Sequence, residues 1–548
     1  NATSGVFDLN LRSGNNQDRE YTAQVGFNGV EFGAEGPFSK KSNASYLISY
    51  RYSSLAFFEK LGLNLGVPAV PHYQDLTFKV DIPLSEKGRL TIFGLGGVNH
   101  IGAEEEDGNS YDYFRSNAWT GTFGISHRHY FNEKTRLRTI LSWGGIRNFG
   151  IDSTTQAGIL TDQYGQDFQE QKLTFQSDIR RRLSRKDHLV GGVEISYIRA
   201  NYVDSVYVPD WNLFFQTANT EGNMMMFQSF VNWKHKFTEQ LQMVTGLHYQ
   251  QVSLNSDLAL EPRVSMSWKF SERQEISLGY GLHSQAQPRT VYFSETLVDT
   301  ANLEYVQTNK HLGFTRSHQA VLGYQVLFDA KHRLKSEFYF QKLFDVPVNT
   351  YPSHFSMINY GGSFSSSVYD SLENKGDGWN MGVELTMERF FANNFYYLAT
   401  ISLFDSKYRA SDDKIRNTVF NGNFIVNLLG GYEWKIGRQD ALTVDGRISW
   451  AGGLRTIPID LDASREAGET VRDYDRVYES RDDDYFRIDL RIAYKWNLRH
   501  ATWTFAADIQ NVTNHINPFF KEYNPETDQI EQVSQIGIIP AGVIRVNF

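Results

Sequence analysis

The chain contains no cysteine in 548 residues. That removes disulfide frameworks, thiolate metal sites and cysteine nucleophiles together. It also has no uninterrupted apolar run of about 18 residues, so it is not a helical membrane protein. The net charge is −9, and no basic stripe is available to neutralise phosphates, which argues against a nucleic-acid partner. No G-x-S-x-G, H-E-x-x-H or phosphate-loop pattern occurs, and the carboxylates are spread along the chain instead of being paired. No catalytic constellation, metal site or cofactor is expected. The first residue is Asn, with no cationic and apolar leader before it, so an exported protein of this sequence is expected to be either mature or truncated there.

What the chain does have is alternation. In Asp484–Trp496, Phe486, Ile488, Leu490, Ile492 and Tyr494 share one face of a strand, while Arg487, Asp489, Arg491 and Lys495 share the other. About 22 such segments follow one another. They are joined alternately by short turns, such as Ser85–Gly88, Ser184–Asp187 and Asp329–His332, and by long connections. The long connections are expected at 55–72, 102–116, 149–169, 203–221, 288–316, 347–377, 454–482 and 511–537. Short turns on one side and long loops on the other describe an all-β, 22-stranded antiparallel transmembrane barrel with periplasmic turns and extracellular loops. Aromatic residues make up 14% of the chain, enough for girdles at two membrane interfaces. The partners implied are outer-membrane lipid and lipopolysaccharide.

Charges on strands of such a barrel must face inward. Arg or Lys at mid-depth on the lipid side costs about 2–4 kcal/mol, and carboxylates somewhat less. Lys79, Asp81, Glu194, Glu384, Arg487, Asp489, Arg491 and Arg545 are therefore expected on the lumen wall, as anchors for a plug or as contacts along a solute path. On the final strand, Gly542, Ile544, Val546 and Phe548 share a face. Ile544, Val546 and the terminal Phe548 resemble the C-terminal assembly signal of outer-membrane barrels.

The N-terminal stretch Asn1-Ala-Thr-Ser-Gly-Val-Phe-Asp-Leu-Asn-Leu-Arg-Ser-Gly14 resembles the last strand of the plug domain in TonB-dependent receptors. The Tyr21–Phe38 hairpin around Asn28-Gly29, followed by Ser45–Tyr52, is similar to the Bacteroidota branch, whose members carry a carboxypeptidase-like regulatory domain. The resemblance implies that residues 1–15 end the plug and that residues 16–548 form the barrel. It implies energised uptake of a nutrient (siderophore, glycan or peptide), driven by TonB-ExbB-ExbD through upstream sequence, with a surface lipoprotein as a further partner. Two other readings fit the same pattern: a structural subunit of a multi-protein outer-membrane complex, and a passive porin.

Three local features have plainer explanations than ligand binding. The charged stretch Arg465–Asp484 reads as a solvated loop with compensating charges. His127 and His129, two apart on a strand beside Trp119, Phe123 and Ile125, read as interfacial residues. Met224–Met226 read as the entry to a lipid-facing strand.

Overall fold

The computed structural model describes residues 9–27, 29–39, 43–53, 71–107, 110–156, 159–208, 213–299, 304–361 and 371–548. Twenty-two antiparallel strands form one closed sheet. Each pairs with its chain neighbour, and the first, Glu20–Gly26, pairs with the last, Ile539–Asn547, through Thr22↔Asn547 to Gly26↔Val543. Closure leaves no unpaired edge, which lipid cannot satisfy. No helix among the described residues is long and apolar enough to cross a membrane; the strands are the spanning elements.

The seam explains the terminal aromatic residue. The amide of Tyr21 donates to the Phe548 carbonyl at 2.7 Å, and the amide of Phe548 donates to the Tyr21 carbonyl at 3.0 Å. Their rings stack with centroids 5.6 Å apart. Ile544 and Phe548 are exposed on the outer face. Arg545, between them in the pleat, points inward and donates from Nε to Gln24 Oε1 at 2.7 Å.

The core of this fold is inverted relative to a water-soluble domain. Leu490, Ile492 and Trp496 are exposed on the outside, as are Met381, Val383, Leu385 and Met387 on Leu372–Ala392. Outer-face concavities are accordingly apolar. One of about 1000 Å³, lined by Val25, Phe27, Ile492, Phe505 and Ile544 beside the seam, is a surface for lipid acyl chains.

Three expected loops are largely strand. Gly88–Asp107 and Ser110–Asn132 meet at residues 108–109, Thr135–Gln156 and Ile159–Arg182 at 157–158, and Asp187–Val208 and Leu213–Lys236 at 209–212. These six strands run 20 to 24 residues, well beyond the roughly 9–11 that a membrane crossing needs. Hydrophobic alternation stops where lipid stops, but the hydrogen-bond ladder does not. A polar run such as Glu104–Asp107 still pairs with Ser110–Tyr113, because each backbone group keeps its partner. The remaining long connections carry elements of their own. Residues 286–314 hold a short helix, Arg289–Tyr292, and a small hairpin, Thr296–Asp299 with Glu304–Val306. Residues 452–484 hold the helix Leu461–Ala467, and residues 511–538 hold the hairpin Pro518–Asn524 with Gln529–Ser534. Most of the expected loop 55–72, part of 347–377, Asn28 and residues 40–42 lie outside the described residues.

Candidate functional site in the barrel lumen

The pleat sends every second side chain inward, and the lumen wall is where the charges collect. Arg487 donates to Asp489 at 2.5 Å and Arg491 to Asp508 at 3.1 Å. Arg138 holds the buried Asp178 at 2.7 Å. Glu261, fully buried, accepts from Arg263 at 2.6 Å and from Gln250 at 2.8 Å, with His248 Nδ1 at 3.1 Å. Buried charge is tolerable when it is paired in this way. Glu194 is 3.6 Å from Lys172. Glu384 lies in register with Glu337, whose carboxylate is 2.6 Å from Lys335. The eight charged residues picked out from the sequence thus occupy separate sectors of the wall and do not form one cluster.

One sector holds the N-terminal segment. Lys79 Nζ donates to the Leu11 carbonyl at 2.8 Å and lies 3.6 Å from Asp81. Asp81 is buried and accepts from Thr91 Oγ1 at 2.6 Å. Arg12 forms a two-point ion pair with Glu35, and the Asn15 amide donates to the same carboxylate at 2.9 Å. Gly14 lies against the strand Ser45–Tyr52 so closely that a Cβ there would meet the Tyr46 carbonyl oxygen at 2.0 Å. Leu9–Asn15 has no regular secondary structure. It is nonetheless fixed to the inner wall by side chain, backbone and close contact together. The rest of the expected plug strand, residues 1–8, lies outside the described residues.

A second sector is covered by the connection 286–314, which folds inward. Val291, Tyr292, Phe293, Leu312 and Phe314 are buried against Ile198, Ala200, Met224, Val252 and Ala259. Phe293 lies flat on Gly222, where any Cβ would come within 2.3 Å of the ring. Arg289 pins the helix to Glu170 through two hydrogen bonds of 2.8 and 2.9 Å. Burial pushes the Tyr292 phenol up to about 12, so it stays protonated and donates no charge to this interface. Met224 corrects the sequence reading: it is buried beneath this loop, and only Met225, 50% exposed, faces outward. Alternation alone puts neighbouring methionines on opposite faces.

Beside the inward loop lies a cavity of about 630 Å³, bounded by Gln285–Pro288, the strand residues Tyr339, Gln341, Asn380, Phe404 and Ser406, and the loop residues Tyr360, Thr418 and Phe420. Its polar groups form a cross-strand relay. Gln341 Nε2 donates to Ser317 Oγ at 3.0 Å and Asn380 Nδ2 donates to Gln341 Oε1 at 2.7 Å. Ser406 Oγ donates to Asn380 Oδ1 at 2.5 Å and lies 2.8 Å from Thr418 Oγ1. The sequence reading missed this site because it searched for charge, and every member of the relay is neutral. The available signal was Gln341, Asn380 and Ser406 at inward positions of three neighbouring strands.

His127 and His129 sit on the outer face with ring centroids 6.2 Å apart, and His129 packs edge-on to Phe131. No group of three or more metal-ligating side chains occurs among the described residues. The charged stretch is compensated only in part, with four arginines against eight carboxylates over 465–484: Arg476 pairs with Glu479 at 3.1 Å, Arg481 with Asp484 at 3.2 Å, and Arg465 reaches across to Asp528 in the neighbouring loop at 2.7 Å. Arg465 holds the Asp528 carboxyl below the usual carboxylate range. Burial pushes the Asp482 carboxyl up despite Lys521 at 3.6 Å.

Residues 71–512 match the family model described as TonB dependent receptor-like, beta-barrel. No curated protein matches the sequence. Among solved structures, the ferric preacinetobactin receptor BauA from Acinetobacter baumannii aligns with a TM-score of 0.65 at 12% identity, over 98% of this chain and 80% of its own. The ferripyoverdine receptor of Pseudomonas aeruginosa aligns with a TM-score of 0.69 at 11% identity, over 98% and 72%. The ferric-catecholate import receptor Fiu from E. coli K12 gives 0.65 at 10%, over 98% and 82%. At these identities the likeness is one of fold. The match to the family model covers most of the chain, and with the closed 22-stranded barrel it identifies an outer-membrane protein of the TonB-dependent receptor-like β-barrel family.

Proposed function

We propose that this protein is the barrel of an energised outer-membrane importer, taking up a nutrient with TonB-ExbB-ExbD as its energy source. The observation that carries this reading is the docked segment Leu9–Asn15, held inside the barrel by Lys79, Glu35 and the backbone of Ser45–Tyr52. A plug that leaves the lumen under force needs a fixed exit point on the wall. Residues 1–15 are assigned as the end of that plug and residues 16–548 as the barrel. Lys79 and Asp81 anchor the plug exit, while Glu194, Glu384, Arg487, Asp489, Arg491 and Arg545 keep the rest of the wall hydrated for plug and solute. Ile544, Val546 and Phe548 form the assembly signal, a role supported by the Tyr21–Phe548 seam. The N-terminal resemblance supports the Bacteroidota branch with its regulatory domain, and a surface lipoprotein over the outer loops. The protein performs no covalent chemistry.

The test is uptake by intact cells. A strain lacking the protein should fail to concentrate at least one nutrient that the parent concentrates, and a protonophore or loss of TonB should abolish that uptake in the parent. Lys79→Ala combined with Glu35→Ala should impair uptake while leaving a heat-modifiable, folded barrel. Uptake indifferent to both protonophore and TonB would refute the reading.

A further inference from the structure

On several sectors of the lumen wall arginine meets carboxylate: Arg51 pairs with Asp75, Arg333 with Glu388, Arg487 with Asp489 and Arg491 with Asp508. One sector near the short-turn rim departs from that pattern. Strand register sets Arg89 opposite Arg128, Arg128 opposite Arg138, and Arg138 opposite Asp178. Two residues nearer the rim, Arg136 lies opposite Arg180. All five alternate with outward-facing apolar residues such as Ile125, Leu141 and Ile179, so they point into the lumen.

The patch is far from neutral. Its one carboxylate, Asp178, is 2.7 Å from Arg138 and 3.9 Å from Arg180. Asp81, on the strand beside Arg89, is matched by Lys79 at 3.6 Å. The Nε atoms of Arg128 and Arg136 are buried and have no hydrogen-bond partner among the described residues. Neither of these side chains, nor that of Arg89, forms an ion pair there. Like charges set directly opposite one another destabilise a sheet. Three arginines in one row therefore have no rationale in the wall's own stability.

Guanidinium groups hold phosphate and carboxylate oxygens in two-pronged hydrogen bonds. Directly opposed residues lie about 4.5–5.5 Å apart at Cα, so the row Arg89–Arg128–Arg138 extends about 10 Å along the wall. A single carboxylate or chloride answers one guanidinium. A row of this length, with Arg136 and Arg180 beneath it, suits an anion carrying charge at both ends.

We propose that this patch is a binding site for small multivalent oxyanions, solutes bearing two or more phosphate or carboxylate groups, at the periplasmic mouth of the barrel. Arg89, Arg128 and Arg136 bind the anion, while Arg138 is tied to Asp178 and fixes the end of the row. The assignment deepens the importer reading and rests on it only for the direction in which the solute passes, because binding itself needs no energy source.

The experiment is equilibrium dialysis with the detergent-solubilised full-length protein at fixed ionic strength. Pyrophosphate and citrate are the probes, with acetate and chloride as monovalent references. Pyrophosphate, citrate or both should bind at least tenfold more tightly than acetate, and weaken as salt is raised. Pyrophosphate binding alone identifies a phosphoryl ligand, and citrate alone a carboxylate one. Arg128→Gln and Arg136→Gln should each weaken binding by tenfold or more, and Arg128→Lys, which keeps charge but loses the planar fork, by less. Lys495→Gln, on a distant strand, should change nothing. A saturating probe should also raise the urea midpoint of the parent protein and leave that of the Arg128→Gln, Arg136→Gln double variant unmoved. The proposal is overturned if neither multivalent anion binds more tightly than acetate, or if both glutamine variants bind as the parent does while remaining heat-modifiable, folded barrels. If the anion binds as described but nutrient uptake ignores the protonophore, the site stands and the importer reading fails. Energised uptake by a protein that binds neither probe does the reverse.

Discussion

Phe293→Ala tests whether the inward loop is held by packing. Phe293 is 2% exposed and its ring rests on Gly222. Truncating a fully buried Phe removes roughly 3–5 kcal/mol where neighbours cannot collapse into the space. The strands beneath cannot collapse, because they are fixed in a closed sheet. The docked helix is read out by three amides: Val291 and Tyr292 donate to the Pro288 carbonyl, at 3.0 and 3.1 Å, and Phe293 donates to that of Arg289 at 3.0 Å. If local opening of the loop governs their exchange, protection of these amides should fall by roughly 150- to 5,000-fold. Amides in the strand Leu241–Val252 should stay protected. Gly222→Val should produce the same loss from the other side, by pushing the ring off its seat. Gly222→Ala on the Phe293→Ala background should cost little further, since the clash has lost its partner. Unchanged protection at 291–293 in a folded Phe293→Ala barrel would refute the packing argument and shift the weight to polar fastenings such as Arg289–Glu170.

Leu278 and Gly279 are neighbours near the middle of the strand Gln274–Gln285; Leu278 is 57% exposed and a Cβ on Gly279 would meet nothing within 4 Å. Leu278→Arg should destabilise the barrel in lipid vesicles by about 2–4 kcal/mol, and Gly279→Arg by less than about 1 kcal/mol, measured by urea titration. Phe548→Ala removes the ring stacked on Tyr21, and an aromatic pair contributes about 0.5–1.5 kcal/mol; assembly, followed as the heat-modifiable gel band, should slow while Phe519→Ala in an outer loop leaves it unchanged. Asp528 has a folded-state pKa below its unfolded value, so the Arg465–Asp528 contact stabilises the two outer loops fully above about pH 4 and loses that contribution as pH falls through the lowered value. Protease sensitivity of residues 452–484 should therefore rise on acidification, and Asp528→Asn should make it high and pH-independent.

The architecture was legible because lipid imposes it residue by residue. A strand such as Tyr485–Asn497 cannot bury Leu490 and Ile492 in lipid without turning Asp489 and Arg491 to the lumen, and the two-residue period records this directly. Strand ends were less legible. The extensions at Gly88–Asp107 and Leu213–Lys236 leave the membrane, and above it the ladder continues through backbone hydrogen bonds, which carry no compositional signature. The wall charges were recoverable as a class, but their partners were not: Arg12 and Glu35 meet across 23 residues and two structural units, which no local spacing encodes. The cavity was invisible for a third reason. Gln341, Asn380 and Ser406 are unremarkable singly, and only strand register brings them into one relay.

Which face of the sheet meets lipid fixes the role of every side chain on the spanning strands. The protein has no native cysteine, so single cysteines can be placed along Tyr485–Asn497 without background. In vesicle-reconstituted protein, cysteines at Ile488, Leu490 and Ile492 should react with a membrane-soluble maleimide and resist a charged, membrane-impermeant one. Cysteines at Arg487, Asp489 and Arg491 should show the opposite pattern, alternating position by position. Uniform reactivity along the segment, or alternation in the reverse phase, would contradict the account.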